Sequence, residues 1–107
     1  MLKRTKRRYL ALDVDSAGTF EPREFADGIW SAVTRLYGEH GASQTGLVMI
    51  HCDMERKFAL IRVTNAASDM VRAALATITK IGDKPASIHV IAVSGTIKAL
   101  QKRVKQR

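Results

Sequence analysis

The chain contains a single cysteine, Cys52, which excludes an internal disulfide and a cysteine-rich zinc site. A lone cysteine behind an N-terminus with no signal-like pattern fits a reducing cytoplasm as the expected compartment. No apolar run approaches the roughly 18 residues needed to cross a bilayer, so no membrane partner is expected. Aromatic residues are sparse, namely Tyr9, Phe20, Phe25, Trp30, Tyr37 and Phe58. Stacking on bases is therefore excluded as the dominant mode of any nucleic-acid contact. Glycine-rich phosphate loops, serine–histidine or cysteine–histidine motifs and zinc-ligand spacings are all missing. The most telling absence is of acids at the two ends. Residues 1–8 and 95–107 hold no aspartate or glutamate.

What those ends contain is positive charge. Ten of the 18 basic residues lie there: Lys3, Arg4, Lys6, Arg7 and Arg8, then Lys98, Lys102, Arg103, Lys105 and Arg107. Between residues 9 and 94, eight bases against ten acids leave a net charge of −2, so the ends produce the whole net charge of +8. A near-neutral body with two cationic arms suits a protein that grips a polyanion. Solubility is the plainer explanation of basic termini, but it does not require the charges to be segregated. A sequence pI near 10.2 favours nucleic acid over small acidic ligands.

Hydrophobic residues make up 46% of the chain, which rules out disorder by composition. The length fits one domain, residues 1–107, with residues 1–6 as a basic arm. From Arg7 to Asp15 the pattern is extended, with Leu10, Leu12 and Val14 on one face and Tyr9, Ala11, Asp13 and Asp15 on the other. After the loop Ser16 to Thr19, Glu21, Pro22 and Glu24 suit the first turn of a helix. Phe25, Ile29, Ala32, Val33 and Leu36 form its apolar stripe, and Gly38 and Gly41 mark its end. Leu47 to Cys52 and Phe58 to Val63 read as strands joined by the polar turn Asp53 to Arg56. A second helix starts near Ser68, with the stripe Val71, Ala74, Leu75, Ile78 and Ile81; Gly82-Asp83 closes it and Pro85 prevents its continuation. Ile88 to Val93 is a fourth strand, and a basic helix occupies residues 95–107.

The order is that of an α+β fold of ferredoxin-like or RRM-like type. It predicts a βαββαβ four-stranded antiparallel sheet with helices on one face, plus the C-terminal helix. Three of the strands are apolar on both faces, so both faces need cover. The last helix covers only part of the second face, and a protein partner is expected for the remainder.

Within that helix Lys98, Lys102 and Lys105 share one flank, Arg103 and Arg107 lie on the other, and Ile97, Leu100 and Val104 form the docking stripe between them. Charge presented this way suits phosphates. The turn Ser94-Gly95-Thr96 could supply backbone N–H groups and a hydroxyl to one phosphate, or serve as an ordinary helix cap. His51 and Cys52 point to opposite strand faces and cannot converge, so His51, His40 and His89 are expected in core or rim roles. Asp13 and Asp15 share a face and could hold a magnesium ion as a pair. A salt bridge to Arg62 is the commoner arrangement. No catalytic centre is found.

The run Val93-Ser94-Gly95-Thr96-Ile97-Lys98-Ala99-Leu100, after an apolar strand and before a basic helix, resembles the C-terminal signature of archaeal ribonuclease P protein component 2, the Pop-five type subunit family. Lys6 to Ala11 resembles that family's first strand. Trp30 with Arg23, Leu36 and Gly38 resembles its first helix. Phe58 to Val63 and Val71 to Leu75 resemble its third strand and second helix. Ile91-Ala92 departs from the leucine and glycine more usual ahead of Val93.

The resemblance implies a non-catalytic, RNA-binding subunit of an endoribonuclease that removes the 5′ leader of precursor tRNA. The ribonuclease P RNA performs the hydrolysis with magnesium, and this chain needs no cofactor of its own. A barrel-type ribonuclease P protein subunit is the implied protein partner, precursor tRNA is met indirectly, and homodimerisation is a further expectation. The RNA-binding residues expected are Lys3, Arg4, Lys6, Arg7, Arg8, Ser94, Gly95, Thr96, Lys98, Lys102, Arg103, Lys105 and Arg107. Two rivals are a stand-alone or ribosomal RNA-binding module of the same fold and a small acylphosphatase-like enzyme. The loop Ser16 to Phe20 lacks the arginine and the glycines that an anion cradle requires.

Overall fold

The computed structural model describes residues 6–105, apart from the side chains at positions 103 and 105. Strand β1 (Arg7–Ser16) lies at the centre of the sheet. It pairs antiparallel with β3 (Phe58–Thr64) on one side and with β5 (Lys84–Ser94) on the other. Strand β2 (Val48–Asp53) flanks β3, and the two-residue β4 (Lys80–Ile81) flanks β5, giving the order β2-β3-β1-β5-β4. Alternation explains the position of β1. Leu10, Leu12 and Val14 are buried under helices α1 (Pro22–Ser43) and α2 (Ser68–Ala76). Ala11, on the other face, is buried in a second cluster with Leu60 and with Leu100 of α3 (Ile97–Lys105). Both faces are therefore covered at the middle of the sheet, as strands apolar on both sides demand.

Helix α1 begins with Pro22 in its first turn, where proline loses no hydrogen bond. Phe25, Ile29, Ala32 and Val33 are buried against the first face, where they meet Val71, Ala74 and Leu75 of α2. The expected stop at Gly38 is a break rather than an end. Gly38 adopts φ 74 and ψ 171, after which a further helical turn reaches Ser43. The Tyr37 hydroxyl donates to the Met70 carbonyl at 3.0 Å and fastens the two helices together.

Three expectations are corrected. The four-stranded sheet is five-stranded among the described residues. Helix α2 stops at Ala76, so Ile78 and Ile81 are buried from the connection and from β4 and not from a helix stripe. The β-branched run Thr77-Ile78-Thr79 disfavours helix, and Thr77 Oγ1 turns back to the Ala74 carbonyl at 2.7 Å. Gly82-Asp83 is consequently a two-residue hairpin turn, with Gly82 at φ 59, and Pro85 sits opposite Lys80 near the start of β5. The C-terminal helix begins at Ile97, two residues beyond the expected Gly95.

Two strand irregularities shape the second face. The β1–β5 register passes from Ala11↔Ala92 to Leu12↔Val90, which leaves Ile91 as the extra residue. The β2–β3 register passes from Met49↔Ile61 to His51↔Leu60, which leaves Ile50 extra. Such bulges redirect side chains. None of the described helices is long and apolar enough to cross a membrane.

Phe25 is fully buried where α1 meets the sheet. Phe25→Ala is expected to lower stability by about 3–5 kcal/mol in urea unfolding. A loss typical of a surface substitution, under about 0.5 kcal/mol, would contradict its place at the centre of the core.

Candidate nucleic-acid interface

Antiparallel pairing brings the start of β1 beside the end of β5, with Tyr9 opposite Ser94. Lys6, Arg7 and Arg8 and the opening of α3 therefore lie at one end of the sheet, although about ninety positions separate them in the chain. Arg8 makes the junction concrete. Its Nε donates to Asn65 Oδ1 at 2.7 Å, and a Cβ added at Gly95 would meet its guanidinium at 3.4 Å. The Lys6 carbonyl accepts from the Asn65 N–H at 2.8 Å, so the chain entering β1 is held on both sides of Arg8. Lys6, Arg7, Lys98 and Lys102 are exposed. Lys3, Arg4 and Arg107 lie outside the described residues, as do the side chains of Arg103 and Lys105.

The turn before α3 forms as a cap. Thr96 Oγ1 accepts from the Ala99 N–H at 3.2 Å, and Ser94 Oγ accepts from the Thr96 N–H at 3.4 Å. Ser94 is buried, whereas Gly95 and Thr96 are exposed. Both hydroxyls are thus committed to the helix start. What remains for an anion is the Ile97 and Lys98 N–H groups, which no helical carbonyl can reach, with the Arg8 guanidinium near Gly95.

One cation at this end is invisible in a reading confined to the tails. Arg62 of β3 lies opposite Tyr9, half-buried on the same sheet face. The expected pairing of Arg62 with Asp13 or Asp15 does not form. Asp13 is opposite Phe58 and His89, four residues along β1 from the Arg62 register, a separation of about 13 Å. Among the described residues the ion pair found is Arg56 Nε to Asp53 Oδ2 at 3.8 Å. No group of three or more histidine, cysteine, aspartate or glutamate side chains is placed to hold a metal ion among those residues.

The histidines take rim positions. His40 and His89 are exposed, and the His89 ring lies 3.4 Å from the Ser87 hydroxyl. His51 is also exposed, on the second face with Leu60, while Cys52 pairs with Ala59 and packs against the first-face core. Between α3 and the β2–β3 hairpin runs a groove of about 670 Å³, lined by Ile50, His51, Phe58 and Leu60 on the sheet and by Ile97 and Gln101 among the residues of α3. Strict alternation would have sent Ile50 to the opposite face from His51. The bulge brings both to the groove, and no feature of the sequence announces it. A separate cleft of about 480 Å³, at Glu21, Glu24 and Asp27, is rich in carboxylates and belongs to the start of α1.

A family model described as the Rpp14/Pop5 family matches residues 8–105. Ribonuclease P protein component 2 of Methanobrevibacter smithii is 34% identical over 110 aligned residues, covering 96% of this chain and 92% of that protein. The protein of the same name from Pyrococcus furiosus is 33% identical over 100 residues, covering 94% of this chain and 83% of its own length. A chain in the cryo-EM structure of yeast ribonuclease MRP superposes with a TM-score of 0.73 over 99% of this chain and 96% of that one. At 17% identity, the common feature is the fold.

Burial, reinforced by the neighbouring Asp53 carboxylate, pushes the Cys52 thiol above its ordinary value. The thiolate is the nucleophile, so iodoacetamide should alkylate Cys52 more slowly in the native protein than in urea at pH 8. The native rate should still be climbing at pH values where an ordinary thiol has levelled off. Equal rates in the two states would contradict this placement of Cys52.

Proposed function

The chain belongs to the Rpp14/Pop5 family and is a protein subunit of ribonuclease P; on that premise we propose that it serves the catalytic RNA through the cationic end of its sheet. The observation that carries this reading is the meeting of Lys6, Arg7 and Arg8 with the opening of α3 at one end of the sheet, with Arg8 beside Gly95. Charge gathered from both ends of a chain onto one surface raises the local potential far more than the same charge dispersed. Phosphate contacts of this sort position an RNA without reading its sequence. Lys3, Arg4, Lys6, Arg7 and Arg8 act from the β1 side. Gly95, the backbone around Thr96, and Lys98, Lys102, Arg103, Lys105 and Arg107 act from the α3 side. Ser94 holds the turn from beneath.

The chain supplies no catalytic group in this account. Hydrolysis at the 5′ leader of precursor tRNA belongs to the RNA and its magnesium ions, and precursor tRNA meets this subunit indirectly. The sheet order β2-β3-β1-β5 is that of a ferredoxin-like core to which the β4 hairpin is added, and α3 lies on the second face. A barrel-type protein subunit is the proposed neighbour in the ribonucleoprotein. Trp30 and Leu36 of α1 are 43% and 46% exposed, and Val48 on the free-edge strand β2 is 41% exposed. Exposed aromatic and aliphatic side chains beside an open strand edge are what a partner covers. Two copies of the chain would compete for the same edge when that partner is absent. The compartment proposed is the cytoplasm.

The test is the salt dependence of RNA binding. Changing Lys98, Lys102 and Lys105 together to glutamine leaves Ile97, Leu100 and Val104 in place and preserves helix propensity. The slope of log affinity against log salt should fall by roughly 0.7 to 0.9 for each RNA phosphate that the variant no longer neutralises. Arg8→Gln should do the same from the β1 side. Filter binding to ribonuclease P RNA at several salt concentrations measures both. Unchanged slopes, with the fold intact by circular dichroism, would make the basic ends solubility devices. Equal affinity for unrelated structured RNAs, without any effect on ribonuclease P, would favour a stand-alone RNA-binding module.

A further inference from the structure

We propose that the groove between α3 and the β2–β3 hairpin receives one unstacked nucleobase of a single-stranded RNA segment. This inference rests on the RNA-binding reading above and adds a base-holding site to a surface otherwise argued from phosphate contacts alone.

The floor of the groove carries two rings. The His51 and Phe58 centroids are 6.4 Å apart at an interplanar angle of 50°. His51 is exposed and Phe58 half-buried, so one ring is open to a ligand while the other is fixed by packing with Leu60 and Leu100. Ile50 and Ile97, 38% and 36% exposed, form apolar walls on opposite sides. Gln101 contributes an amide, which both donates and accepts and so matches the mixed edge of a base. A volume of about 670 Å³ falls within the range of sites that hold small organic ligands. It suits a nucleoside better than a docked helix, and a sheet face offers no main-chain partners to an extended peptide.

Charge selects the same occupant. No carboxylate lines the groove, and Arg56 stands at its far mouth, partly offset by Asp53 at 3.8 Å. Lys98 is three residues before Gln101 and therefore on the same side of α3, with Lys102 one turn further on. The helix wall of the groove thus carries a cationic rim at the height where a phosphate follows a buried base. Apolar walls, an exposed ring on which a base can stack, an amide and a cationic rim are the elements with which proteins hold single-stranded nucleotides.

The experiment uses the full chain and two probes, a fluorescent oligoadenylate and an oligomer of the same length with abasic sugars, followed by anisotropy. The wild type should bind the base-bearing strand between about 5-fold and about 150-fold more tightly, the range for one stacked base. His51→Ala, at an exposed position, and Phe58→Leu, which keeps apolar volume without a ring, should both shrink that ratio while leaving the salt slope unchanged. The Lys98, Lys102 and Lys105 triple glutamine variant should lower the slope and keep the ratio. A wild type that binds both strands equally with a normal salt slope overturns the groove assignment and leaves the RNA-binding reading intact. Failure to bind either strand, or ribonuclease P RNA, overturns both. If the His51 and Phe58 ring resonances shift only on addition of the barrel-type protein subunit, the groove is a protein interface and the proposal is wrong.

Discussion

The antiparallel pairing of β1 between β3 and β5 is the constraint on which the rest of the molecule depends. It is the central strand, so its register fixes every other element of the sheet. Leu10, Leu12 and Val14 commit that register, because a shift by one residue would turn all three away from α1 and α2 and turn Asp13 toward them. With the register set, Tyr9 must face Ser94. Arg7, Arg8 and the start of α3 then lie at one end of the sheet, and Arg8 closes the distance to Gly95. That meeting of segments from opposite ends of the sequence is therefore a consequence of hydrophobic alternation in one strand.

The same register polarises the body. Asp13 and Asp15 end β1, Glu21 and Glu24 open α1, Asp53 and Glu55 belong to the β2–β3 turn, and Asp83 belongs to the β4–β5 turn. All sit at the end of the sheet opposite to Arg7, Arg8 and the start of α3. Local lysines serve that end structurally: Lys84 donates to the Thr19 carbonyl at 2.9 Å and lies over the Phe20 ring, and Lys57 donates to the Ser16 carbonyl. Asp69, at the start of α2 close after Asn65, is an acid at the Arg8 end, so the separation of charge is partial.

Much of this was legible in the sequence because it follows from periodicity. The alternation of β1 and the α1 stripe of Phe25, Ile29, Ala32 and Val33 point to one buried face, although Leu36, read into the same stripe, is 46% exposed; the segregated charge needs only counting. What was not legible depends on local competition. Helix α2 ends early because a β-branched run and a glycine–aspartate turn outweigh an apolar stripe that looks continuous through Ile81. The bulges at Ile50 and Ile91 are set by how the strands pair, and no residue type announces them. The Arg62 expectation failed for a related reason. Face can be read from parity, but position along the face comes only from register. The groove depends on both, since it needs a bulge on one side and a helix docked on the other.

This chain acts by supporting a catalytic RNA and contributes no cleaving group. The decisive experiment is reconstitution of precursor-tRNA processing, with ribonuclease P RNA, magnesium and the partner proteins assembled with and without this subunit. Omission should sharply reduce cleavage at the mature 5′ end, and the purified chain with magnesium but no RNA subunit should cleave nothing. Cleavage at that site by the chain alone, or full activity in its absence, would contradict it.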